Sequence, residues 1–137
     1  MNLNELSTDR GGNTERTEVP AGNYKFRLAG SKPNPFKTGT TDIDLVIVEG
    51  PQKGRHVFAT LPAPDAYSWV PQAAAILVKR LGITQQPGED LVDTLSRGAA
   101  NGSGAITADV IDDTYTNNAG AQVTKPKLQF FSVAAAV

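Results

Sequence analysis

The chain has 137 residues, a formal net charge of -1 and no cysteine. That length suits one domain, which at this size buries about two-thirds of its surface and folds without staples. The absence of thiols excludes disulfides, thiolate metal sites and a cysteine nucleophile, and it fits a reducing compartment. The near-neutral balance sets the chain apart from strongly basic nucleic-acid binders, although balanced totals can hide a local basic stripe.

No apolar run reaches the roughly 18 residues that a membrane-spanning helix needs. Residues 1–18 are polar, carry charges of both signs and include Gly11 and Gly12. They lack the apolar centre of a signal peptide and read as a flexible N-terminal arm, in which Leu3 and Leu6 could dock locally. One domain is expected over residues 19–137, in a cytoplasmic protein with no membrane partner.

Order begins at Val19-Pro20-Ala21-Gly22. Residues 24–29 alternate, with Tyr24, Phe26 and Leu28 on one face and Lys25 and Arg27 on the other, which predicts a half-buried strand. Residues 31–40, with two prolines, predict a loop that presents Lys32, Phe36 and Lys37. A second strand spans 42–49. Its apolar run Leu45-Val46-Ile47-Val48 predicts a central strand covered on both faces. Gly50-Pro51-Gln52-Lys53-Gly54 is a tight turn, and 55–61 form a third strand that starts with Arg55.

Pro62 and Pro64 end the meander. A helix is predicted over 66–81, with Asp65 as its N-cap and Pro71 in its first turn. Ala74, Leu77, Val78 and Leu81 form its apolar stripe. Lys79 and Arg80 lie in the last turn, and Gly82 is the stop. A second short helix is predicted over 88–98. Residues 101–104 read as a flexible connector and Gly98–Gly104 as linker. Strand four spans 105–111, a hairpin loop lies within 113–122, and strand five spans 123–133.

Three strands, a helical insertion and two strands is the element order of the OB-fold. The fold class predicted is therefore mainly β: a five-stranded OB-fold-type barrel with a helical insertion between strands three and four, the helix plugging one open end. A β-sandwich and a half-open sheet covered by a helix are the rival architectures.

Chemistry-bearing residues are sparse. His56 is the single histidine, with no orienting partner visible in the sequence, and it reads as an ordinary strand residue. Asp42, Asp44 and Glu49 bracket the second strand, and Asp109, Asp112 and Asp113 the fourth. They read as solvated strand ends, with a small Mg²⁺-dependent nuclease as the lesser alternative. No phosphate loop or dinucleotide fingerprint is present. No catalytic residue, metal or cofactor is expected, and the chain is read as a non-enzyme.

Binding residues are easier to find. A single-strand binder needs cations that track phosphates and aromatic faces on which bases stack. The cations are Lys25, Arg27, Lys32, Lys37, Lys53, Arg55, Lys125 and Lys127. The aromatics are Phe36 and Phe131, the latter placed on the solvent face of strand five while Leu128 and Phe130 face the core. Tyr67 and Trp69 read chiefly as a staple holding the helix to the sheet. Lysine on an outer strand can also serve only solubility.

Val19-Pro20-Ala21-Gly22-Asn23-Tyr24, Lys37 and Gly39, then the run from Leu45 to Arg55 with Phe58, resembles a group of bacteriophage single-stranded-DNA-binding proteins. The resemblance covers residues 19–61. It implies an OB-fold, sequence-tolerant binding of single-stranded DNA and a role in phage replication or recombination. Proteins of that functional class often end in an acidic tail, and this chain ends in SVAAAV. Single-stranded DNA is thus the expected partner, with self-association also open. A phage structural or assembly protein is the alternative.

Overall fold

The computed structural model describes residues 19–136, so the predicted arm over 1–18 lies outside the described residues. The architecture is mainly β, with a six-stranded antiparallel sheet and two helices. The strands are β1 (Gly22–Pro33), β2 (Thr41–Ile47), β3 (His56–Leu61), β4 (Ile106–Thr116), β5 (Gln122–Leu128) and the two-residue β6 (Ala134–Ala135). The helices α1 (Val70–Arg80) and α2 (Leu91–Asn101) lie between β3 and β4. The sheet order is β3-β2-β1-β4-β5, with β6 also paired to β4.

Alternation builds the core. Phe26 and Leu28 of β1, Ile43, Leu45 and Ile47 of β2, Val57, Ala59 and Leu61 of β3, and Ile106, Ala108 and Val110 of β4 are all buried. Each strand thus turns every second residue inward, as the pleat requires. The continuous apolar run of β2 does not make it buried on both faces. Asp42, Asp44 and Val46 are only half-buried on its outer side, so β2 is central in the sheet but covered on one face.

β1 is longer than its alternation predicts. A register shift between Leu28 and Gly30 absorbs an extra residue and carries the strand through Ser31 and Lys32 to Pro33. The loop after it is therefore shorter than residues 31–40. β4 likewise runs past residue 111 to Thr116, and Asn117 closes the turn by accepting from the Ala119 and Ala121 N–H groups.

Strand five is also shorter than expected. Beyond Leu128 the chain makes a single 3-10 turn over Phe130–Ser132 and then pairs with β4 as β6. The Gln129 N–H donates to the Asp109 carbonyl, and the Asp109 N–H donates to Ser132 Oγ, so the turn is bonded back to β4. These bonds explain why six strands form where five were expected.

α1 starts at Val70, not at residue 66. Trp69 is its N-cap and makes no side-chain cap bond, so Asp65 has no capping role, while Pro71 does sit in the first turn. Val70, Ala73, Leu77 and Leu81 form the buried stripe, one residue out of step with the predicted Ala74 and Val78, which are half-buried. α2 begins after Asp90, whose side chain accepts from the Asp93 N–H, and it packs against β1. Ser96 of α2 is hydrogen-bonded to Ser31 of β1.

The glycines from 98 to 104 are not a linker. Gly98 is buried within α2, where an added Cβ would meet Ile83 at Cγ1, 2.9 Å away, and Cδ1 closer still. Gly102 ends α2 in the left-handed region at φ 81°. The Gly104 N–H then donates to the Leu81 carbonyl at 2.8 Å and ties the segment to the end of α1.

Candidate nucleic-acid interface

β3 and β5 are the two ends of the sheet path, and among the described residues no hydrogen-bonded ladder joins them. Each is related to β1 by two antiparallel steps, so they run parallel to each other. They nevertheless lie side by side, and the seam between them holds a groove of about 390 Å³. Phe58 and Thr60 line one wall, and Lys125, Pro126 and Lys127 the other. Tyr67, Trp69, Phe130 and Asp113 complete it.

The aromatic residues of the seam form a connected set. Trp69 stacks with Tyr67 at 5.9 Å between ring centroids, tilts over buried Phe130 at 6.5 Å and meets Phe131 edge-on at 6.3 Å. Phe58 is 69% exposed, Tyr67 57%, Phe131 53% and Trp69 37%. Trp69 is therefore both a staple, through Phe130, and an open surface. Phe131 is exposed as expected, but it stands on the 3-10 turn and not on a strand.

Lys125 and Lys127 line this groove from β5. The Lys125 ammonium lies 5.3 Å from the centroid of the Tyr115 ring, one turn of the pleat further out on β4. Phe58 also borders a second, smaller groove with Lys32, Ser31, Asp42 and Asp44, so it stands between the lysine of β1 and those of β5. This continuity runs across the outer face of the sheet.

The other predicted residues are not gathered there. Lys25 is 3.6 Å from Glu49 as an ion pair. Arg27 is exposed on the outer face in register with Val46, one row from Phe58. Phe36, 91% exposed, and Lys37 stand on the β1–β2 loop, where Asn34 Oδ1 accepts from both of their N–H groups. Lys53 and Arg55 lie at the β2–β3 turn, at the opposite end of β2, roughly 20 Å along a strand of this length. One straight path does not touch both ends and the seam at once.

Phe58 and Tyr115 were missed as binding candidates. Phe58 was legible, because Val57, Ala59 and Leu61 alternate inward and leave His56, Phe58 and Thr60 facing out. Tyr115 was hidden by ending strand four too early. His56 does have a partner: its Nδ1 is 2.6 Å from Asp44 Oδ1, and its ring stacks on Phe58 at 6.0 Å. His56 is exposed and Asp44 half-buried, and their contact gives His56 an orientation and Phe58 a neighbour. Asp42 accepts from Asn34 and Thr60. Among the described residues, no three His, Asp or Glu side chains cluster to hold a metal ion. No helix among them is long and apolar enough to cross a membrane.

No family model, curated protein or solved structure matches this chain.

Proposed function

We propose that this protein binds single-stranded DNA, with the strand lying in the seam between β3 and β5 and the bases stacking on Phe58, Tyr67, Trp69 and Phe131. The observation that carries the reading is the meeting of exposed aromatic rings and lysines at one groove. Exposed rings in such a cluster are an apolar patch of the kind that marks interaction sites. Rings beside cations suit a polymer with flat bases and charged phosphates, and each stacked base contributes about 1–3 kcal/mol.

The finer fold reading belongs with this function. A sheet ordered β3-β2-β1-β4-β5, with parallel edge strands facing each other, has the order in which a five-stranded Greek-key barrel closes. The protein is thus read as an OB-type barrel whose seam is the binding groove. Duplex DNA is a poorer fit. Reading the major groove calls for an element with a basic outer face, and α1 offers only Lys79 and Arg80 in its last turn. Arg97 of α2 is committed to Glu89. Service in phage DNA replication or recombination follows as the proposed setting.

The test is a titration of fluorescent oligo-thymidine at about 50 mM and about 300 mM salt, with duplex as control. Tight binding that weakens with salt and excludes duplex supports the reading. Absence of binding at low salt overturns it.

A further inference from the structure

We infer that Asp113 gives the seam groove a preference for guanine over thymine in the strand it holds. The inference rests on the single-strand reading above. Among the described residues Asp113 is the only carboxylate lining the groove, beside Phe58, Tyr67, Trp69, Lys125 and Lys127. It is half-buried, and among the described residues its carboxylate has neither a hydrogen bond nor an ion pair.

The lysine opposite it on β5 forms no ion pair with it. Lys125 is directly opposite Asp113 in the β4–β5 register, yet its ammonium sits over the Tyr115 ring instead. The other acids on the outer face are engaged: Asp42 by Asn34 and Thr60, Asp44 by His56, Asp109 by Asn23. Asp113 therefore holds open acceptors at the place where bases would stack.

An ionised carboxylate only accepts hydrogen bonds, through two oxygens, and it repels phosphate. A strand in this groove runs its phosphates past Lys125 and Lys127 and turns base edges toward Asp113. In single strands the Watson–Crick edges are open to protein. Guanine presents two adjacent donors there, N1–H and the N2 amino group, which match the two oxygens. Thymine presents one N–H between two carbonyls that the carboxylate repels. Cytosine and adenine each present one amino group beside an acceptor nitrogen and fall between.

The experiment compares labelled oligo-thymidine of about 15 nucleotides with the same length carrying isolated guanines, and with hypoxanthine at those positions. Hypoxanthine keeps N1–H and lacks the N2 amino group. The expected result is guanine about five-fold or more tighter than thymine, with hypoxanthine between. Asp113→Asn and Asp113→Ala, both on an outward-facing strand position, should bring the ratio close to one and tighten binding to oligo-thymidine. Equal affinities for guanine and thymine oligonucleotides, or a ratio that survives both substitutions, overturn the inference while single-strand binding stands. Failure to bind any oligonucleotide overturns the single-strand reading, and the guanine preference with it.

Discussion

At the α1–α2 junction, polar side chains are satisfied by one another. Glu89 accepts from Arg97 Nε at 2.8 Å, from the Gln86 N–H at 2.8 Å and from Thr94 Oγ1, while Asp90 caps α2. At the β3–β5 seam the reverse holds. Phe58, Tyr67 and Phe131 stand mostly exposed, and Lys125 and Lys127 have no acidic partner among the described residues. One region satisfies its charged and hydrogen-bonding side chains internally and so holds α2 in place. The other leaves its rings and lysines open, which is what a binding surface requires. Substitutions at the two places should therefore separate stability from binding.

The largest separation is expected at Phe58. Phe58→Ala should weaken oligonucleotide binding by about 1–3 kcal/mol in a fluorescence titration. It should move the urea midpoint little, since the ring is mostly in solvent. A large loss of stability with unchanged binding would reverse the roles assigned to the two regions. Gly98→Ala should do the opposite. The new Cβ crowds Ile83, so the helix gains propensity but loses packing. A net destabilisation of about 1–3 kcal/mol is expected by denaturant unfolding, with affinity unchanged.

Smaller effects sharpen the contrast. Lys125→Ala and Lys127→Ala should each reduce the slope of log affinity against log salt by about 0.7, the value for one phosphate contact on a single strand. Lys53→Ala, at the far turn, should leave that slope nearly as it is. At the junction, the hydrogen bond from Arg97, then that from the Gln86 N–H, lowers the Glu89 pKa from 4.5 to about 2. A folded-state pKa below the unfolded one means stabilisation that is present above the ordinary carboxylate range and is lost as pH falls toward 2. Urea midpoints at about pH 6 and about pH 3 should differ less in Arg97→Met than in the parent protein.

Much of this architecture was legible from local pattern. The alternation in residues 24–28 and the turn from Gly50 to Gly54 locate β1, β2 and β3 within a few residues. Lys125, Lys127 and Phe131, grouped on one strand face from the sequence, all stand at or beside the seam. What the pattern missed depends on distant contacts. The 3-10 turn after Leu128 is held by Asp109, about twenty residues earlier. Gly98 looks like linker composition until Ile83 is packed against it. The spread of the remaining cations to both ends of β2 follows from sheet order, which no local spacing encodes.

Trp69 is the only tryptophan in the chain, and it lies in the groove itself, so its emission reports on the central claim directly. Oligo-thymidine should quench that emission saturably, the quenching should reverse as salt is raised, and duplex of the same length should leave it nearly unchanged. Emission that does not respond to single strands at low salt, or responds equally to duplex, would contradict a single-strand groove at the β3–β5 seam.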